Sequence, residues 1–292
     1  VTSGILNVNK PVGPSSFAVV RTLRRLPGVV KAGHGGTLDP AADGVLPILI
    51  NNATRVADFV HEWPKTYVAT VTFGSTSDTG DREGTITPAG DPRTISRERI
   101  EAELPAFIGR IDQVPPIYSA LKQGGEALYR KARRGEAVER RARPVEIFSI
   151  RLLDYDSTAA VGRLEVNSGR GMYVRSLAHD LGAALGCGAY LSGLTRTAVG
   201  PMPLTDAVPM ATLAAAGEGW TRWLLPMDLP LHDWPAVALD AAGAAAVRQG
   251  RAVPAPDTTA GRYRLLGPDG ELLAWGEADA TRQIQPRAVF IG

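Results

Sequence analysis

Cysteine is almost missing from this chain: Cys187 is the only one in 292 residues. No intrachain disulfide can form, and a reducing compartment is expected. Histidine is nearly as scarce. His34, His61, His179 and His232 are scattered, and none joins a metal-ligand spacing such as HExxH, so no metal is expected. Long apolar runs are missing too, since the longest aliphatic stretch, Val45 to Ile50, falls far short of a membrane span. The opening VTSGILNVNK lacks the basic region and apolar core of a secretory signal. The expectation is a soluble, cytoplasmic protein. A further absence is the most informative: no acidic residue precedes Asp39, whereas Lys10, Arg21, Arg24, Arg25 and Lys31 all do.

Asp39 itself stands in a glycine-rich stretch, GHGGTLDP from Gly33 to Pro40, with His34 close by. A carboxylate on such a loop, reached along a cationic segment, fits a nucleophile approached by a polyanion. The same Asp-Pro pair also fits a turn or a helix cap, and the local pattern leaves both open. Net charge is only +2, but it is unevenly spread. Residues 122 to 143 hold eight basic groups against Glu126, Glu136 and Glu139. Uneven basicity of this kind suits a phosphate backbone or, equally, a pair of solvated surfaces.

With 44% hydrophobic residues, the chain can build one large domain or a large domain and a small one. The pattern along it is mixed α and β. Strands are expected at Gly4 to Asn9, Val45 to Ile50, Lys65 to Gly74, Val145 to Asp154, Val161 to Ser168 and Tyr190 to Ala198. Tyr67, Ala69, Val71 and Phe73 fall on one strand face, where Tyr67 on its own reads as core. Helices are expected from Ser15 or Ser16 to Leu26, from Thr54 to His61, from Arg97 towards Ile108 with a break at Pro105, and from Tyr173 to Leu185. Residues 27 to 42 and 75 to 84 read as loops. The segment from Pro115 to Pro144 is arginine-rich with little to bury, as expected of a piece that orders on a polyanion. Three prolines between Leu225 and Pro235 mark a boundary. After it come strand-like pieces at Tyr263 to Leu266, Leu272 to Gly276 and Ala288 to Ile291, with a Pro-Asp-Gly turn at Pro268 to Gly270.

GHGGTLDPAADGVLP at Gly33 to Pro47 closely resembles the signature of the TruB family of tRNA pseudouridine synthases. Asn9-Lys10-Pro11 with Gly13 and Ser15-Ser16, Lys65-Thr66-Tyr67, Pro115 to Lys122, Arg170 to Ser176, and Leu194 followed by Thr195-Arg196-Thr197 match in the family's order. The resemblance spans roughly residues 4 to 200 and is highly specific.

The resemblance implies an α+β pseudouridine-synthase fold, with a central mixed, largely antiparallel sheet flanked by helices and loops. A catalytic domain would span residues 1–229, with a thumb-like RNA-binding insertion at 115–144. A small β-rich PUA-like domain would span 230–292. The activity implied is conversion of the T-loop uridine of tRNA, position 55 in tRNA numbering, to pseudouridine by base flipping, without metal or cofactor. Asp39 would attack either the sugar C1′ or the uracil C6, paired with Arg175 as counter-charge. Arg175 falls in the first turn of its helix, where the macrodipole disfavours a cation, so helix stability does not explain it.

Tyr67 would stack on the uracil and move a proton at C5, Tyr173 and Leu194 would line the base pocket, and His34 would touch RNA beside the flipped nucleotide. Arg55 and Asp81 match a basic and an acidic position of the substrate site. Lys10, Lys122, Arg133, Arg134, Arg140 and Arg141 are expected at RNA phosphates. Asp43 and Met172 each stand where the family has Thr. The C-terminal part has seven acids against six bases from His232 onward, so any RNA contact there would be local. The partner expected is the T stem-loop of tRNA, met by a monomer with no membrane and no obligatory protein partner. Two alternatives stand beside this reading: a guide-RNA-dependent relative with protein partners, against which the lack of long basic tails argues, and a tRNA-folding chaperone whose catalysis is secondary.

Overall fold

The computed structural model describes residues 2–119, 121–123, 126–127, 134, 140–256 and 260–290. The first strands and helices are β1 (Gly4–Lys10), α1 (Ser16–Leu23), β2 (Ala32–His34), β3 (Asp43–Ile50), α2 (Ala57–Glu62), β4 (Lys65–Phe73), β5 (Ser75–Ser77), β6 (Ile86–Pro88), α3 (Arg97–Glu103) and β7 (Gly109–Gln113). Next come the short β8 (Lys122–Gln123) and β9 (Glu126–Ala127), then β10 (Arg143–Asp156), β11 (Val161–Ser168), α4 (Val174–Ala184) and β12 (Ala189–Val199). The chain continues through β13 (Met202–Pro203), β14 (Val208–Pro209), α5 (Met210–Ala215) and β15 (Leu224–Leu225). It ends with β16 (Ala236–Ala238), α6 (Ala241–Arg248), β17 (Val253–Pro254), β18 (Gly261–Leu266), β19 (Leu272–Ala278) and β20 (Gln283–Val289).

Among the described residues, eleven strands form one sheet in the order β14-β1-β3-β12-β4-β11-β10-β7, with β2, β13 and β15 attached beside that path. The pairs are antiparallel except β3 with β12 and β1 with β14. A second sheet runs β16-β18-β19-β20-β17. The fold is therefore α+β, a mixed, largely antiparallel sheet with helices packed on it and a smaller β-rich unit at the C-terminus. No helix among the described residues is long and apolar enough to cross a membrane.

An aliphatic run such as β3 can be buried on both faces. Leu46, Ile48 and Ile50 pack with Val19, Val20 and Leu23 of α1, whereas Val45 and Leu49 pack with Val56 and Val60 around α2. On β4, Ala69, Val71 and Phe73 are buried against Leu177 and Leu181 of α4 and the inner residues of β10 and β11. Ser15 caps α1, its hydroxyl accepting from the Ala18 amide. The loop ahead of β3 is thus anchored to the middle of the sheet.

Several element boundaries differ from the sequence reading. Helix α1 ends at Leu23, three residues before Leu26, which is buried outside the helix. Residues 32–34 are a strand, not loop, because their backbone pairs with Ile48 to Ile50. Thr54 does not cap a helix: it sits inside a 3₁₀ turn, Asn51–Val56, with its hydroxyl donating to the Asn51 carbonyl. Ser75 to Ser77 pairs with Ile86 to Pro88 inside what reads as a loop. The last strand is Gln283–Val289, starting well before Ala288, because it takes its register from β19.

Candidate active site

Asp39 lies between β2 and β3, and its loop is held from three sides. Ser16 Oγ accepts from the Leu38 amide and donates to the Leu38 carbonyl, both at 2.8 Å. The Gly13 amide donates to the Pro40 carbonyl at 2.8 Å. From β12, the fully buried Arg196 donates through Nε to Val45 O (2.7 Å), Nη1 to Thr37 O (3.1 Å) and Nη2 to Gly36 O (3.1 Å). The close approach needs Gly44, whose φ is +104° and whose added Cβ would stand 2.2 Å from the Arg196 carbonyl oxygen. The loop is fixed, yet the Asp39 side chain remains 41% exposed.

Arg175, in the first turn of α4, is buried and meets Asp39 Oδ2 through Nη2 at 2.9 Å. The same Nη2 donates to Tyr118 O at 2.9 Å, Nη1 donates to Thr79 O at 3.1 Å, and Nε lies 3.6 Å from Asp81 Oδ2. The guanidinium therefore sits between two carboxylates and two carbonyls, which explains a cation where a helix disfavours one. Asp81 is buried on a loop stitched to β12 through the Leu191 amide and the Gly80 carbonyl (3.0 Å). Its Oδ1 accepts from Thr79 Oγ1 (2.7 Å) and from the Glu83 amide (3.0 Å).

Asp39 and Arg175 open onto a cavity of about 380 Å³, lined also by His34, Lys65, Tyr67, Tyr173, Leu194 and Arg196. That volume is in the usual range for a small-ligand pocket, about 300–1,000 Å³. Gln113 at the end of β7 fixes one wall: its amide donates to Tyr173 O (3.1 Å) and accepts from the Tyr173 amide (2.8 Å). Burial pushes the Tyr173 phenol above its usual range. Burial, with His61 and Arg196 nearby, lowers the His34 imidazole. Lys65 is held at about 8, first by burial and then by the charge of Arg196, while its Nζ donates to the carbonyls of His61 and Trp63.

Asp39, Arg175, Tyr67, Tyr173, Leu194, His34 and Asp81 are thus brought together. Two other expected residues are not. Lys10 is fully buried, its ammonium donating to the Pro11 and Pro14 carbonyls at 2.9 and 3.0 Å, so it presents no charge to an RNA surface. Burial holds it at about 8 against the raising effect of Asp43 and Asp39. Arg55 turns to the C-terminal unit, donating to Val289 O with its guanidinium 6.0 Å from the Phe290 ring centroid. Arg133 and the Lys122 side chain lie outside the described residues. Arg134, Arg140 and Arg141 are exposed.

Lys65, Arg196 and Gln113 are site residues to which the sequence reading gives no role. A signal existed for two of them. Lys65 shares the Tyr67 face of β4 by its period of two, and Arg196 follows Leu194 at the same period on β12.

A paired carboxylate and guanidinium thus open onto an aromatic-walled cavity set on this mixed sheet. Residues 24–174 match the N-terminal domain of the TruB family pseudouridylate synthases. Residues 175–232 match a tRNA pseudouridylate synthase B C-terminal domain, and residues 235–290 a C-terminal domain of pseudouridine synthase II TruB. The chain belongs to the TruB family of pseudouridine synthases.

It is 42% identical to tRNA pseudouridine synthase B of Syntrophomonas wolfei over 98% of each chain. It is also 42% identical to that of Pseudomonas putida, over 99% of this chain and 95% of the relative. A chain in the crystal structure of a Cbf5-Nop10-Gar1 complex superposes with a TM-score of 0.74 and 28% identity, over 99% of this chain and 85% of that one.

Proposed function

We propose that the chain converts the T-loop uridine of tRNA, position 55 in tRNA numbering, to pseudouridine, with Asp39 as nucleophile. The relatives named tRNA pseudouridine synthase B support the substrate. The observation that carries the chemistry is the Asp39–Arg175 ion pair opening into the cavity lined by Tyr67, Tyr173 and Leu194.

The reaction is an isomerisation. The C1′–N1 bond breaks, the base turns, a C1′–C5 bond forms, and the proton lost from C5 is balanced by one gained at N1. Asp39 forms a transient covalent bond at C1′ or C6 and is released at the end. Arg175 orients the carboxylate, and Asp81 holds the far side of the guanidinium. Tyr67 stacks on the uracil and moves the C5 proton, Tyr173 and Leu194 enclose the base, and His34 touches the RNA where the flipped nucleotide has left its stack.

In the same reading residues 1–229 are the catalytic domain, with 115–144 as the RNA-binding insertion, and 230–292 are the PUA-like domain. The enzyme acts in the cytoplasm as a monomer, without a guide RNA. Incubation of the purified protein with an unmodified tRNA transcript, followed by mapping of pseudouridine, tests this directly. Product is expected at position 55 with the wild type and none with Asp39→Asn. Full turnover by Asp39→Asn overturns the mechanism, and no product from the wild type overturns the activity.

A further inference from the structure

Helix α1 buries Ser16, Val19, Val20 and Leu23 and leaves Phe17 outside, 67% exposed. Arg21 follows one turn later, Arg24 is the C-cap, and Arg25 comes next; all three are exposed. Among the described residues, no hydrogen bond or ion pair engages these three side chains. The arginines have a partial structural ground, because cations are favoured at a helix C-terminus. Phe17 has none, being a large aromatic left in water on a helix with a well-filled inner face.

Its position is informative. The preceding residue, Ser16, is the one bonded twice to Leu38, and the neighbouring Gly13 amide holds Pro40. Val12, beside that contact, is also 48% exposed. Phe17 therefore stands at the edge of the loop that carries Asp39, at the head of a row of arginines in a segment without an acidic residue. An aromatic ring followed by unpaired cations is the make-up of a surface for single-stranded nucleic acid, where rings take bases and cations take phosphates.

The geometry points to the outer face of α1 as a second RNA-binding surface. The Phe17 ring stacks on an unpaired base flanking the nucleotide that enters the cavity, and Arg21, Arg24 and Arg25 meet the adjoining phosphates. This rests on the RNA-modifying function proposed above.

The test uses an RNA hairpin carrying the target uridine in its loop, with binding and pseudouridine formation both measured. Base–aromatic stacking predicts that Phe17→Ala binds about tenfold more weakly. Its KM rises while kcat holds. Phe17→Trp restores binding, whereas Phe17→Leu, apolar but without a π face, does not. The combined Arg21→Ala, Arg24→Ala, Arg25→Ala variant lowers the slope of log affinity against log salt by about two, at roughly 0.7–0.9 per phosphate lost.

Wild-type affinity in Phe17→Ala, or equal rescue by Leu and Trp, overturns the stacking role. An unchanged salt slope overturns the phosphate contacts. If the wild type forms pseudouridine while these variants match it, this inference fails alone. A wild type that neither binds RNA nor forms pseudouridine removes the proposed function and this surface with it.

Discussion

Lys65 lies in the wall of the cavity beside Asp39 with its ammonium in contact with backbone carbonyls, and that placement sets a pH dependence. Its folded pKa is about 8 against an ordinary 10.5. Between those values the unfolded chain binds more protons than the folded one, so stability rises with pH across the window and the cost of burying the charge is in full force below it. Lys65→Met lacks this dependence. The Tm of the wild type minus that of Lys65→Met is therefore expected to increase from about pH 7.5 to about pH 10. A difference that stays flat contradicts the burial of a charged Lys65.

At this scale the sequence is an uneven guide. Asp39 and Arg175 lie in recognisable motifs, Asp81 matches only an acidic position, and the three converge in space. Lys10 misleads because a cation in a sequence carries no mark of whether it meets water or two proline carbonyls. For Arg196 the period of two from Leu194 marks the strand face but not the bonding role, for a related reason. Its partners are backbone carbonyls of residues 36, 37 and 45, which have no signature of their own.

Among the elements, the start of β3 is tightly constrained. Gly44 combines a positive φ with a neighbouring strand so close that any Cβ meets the Arg196 backbone. Gly44→Ala is expected to cost roughly 2 kcal/mol or more of stability. It also moves the loop that holds Asp39, so kcat should fall with it. Chemical denaturation and steady-state kinetics check both, and a wild-type midpoint in Gly44→Ala would show that the two strands separate at little cost. The long elements β3, β4, β10, β11 and α4 were legible because each repeats its apolar residues over several periods. Strands β2 and β5 are not, since three residues contain no period to read; β2 forms by pairing with β3, and β5 by pairing with the equally short β6. Pro105 was a sound signal: α3 ends at Glu103 and the chain tightens into a 3₁₀ turn at Leu104–Phe107.

In the whole molecule, α2 joins the cavity beside Asp39 to the C-terminal sheet. One of its residues, His61, lines the cavity with Nε2 3.2 Å from the His34 carbonyl oxygen. Another, Phe59, packs edge-on against Trp234 and Trp275 with ring centroids 5.0 and 5.3 Å apart. Leu272 and Phe290 complete the same apolar cluster with Val56 and Val60. A shared core of this kind implies a shared unfolding transition. Trp275→Ala is expected to lower stability by about 2–3 kcal/mol while calorimetry still shows one transition. Two separated transitions would mean that the sheets fold independently.

The sequence marked a boundary near Pro230 from its prolines, but contacts across it leave no local trace, because the aromatic partners are far apart along the chain. Synthesis meets this arrangement in order. Phe59 emerges from the ribosome long before Trp234 and Trp275, so a chain made only as far as the end of the main sheet carries an uncovered apolar face on α2. That face distinguishes an unfinished molecule from a complete one, and gives a chaperone or protease a feature to recognise until the last strands arrive.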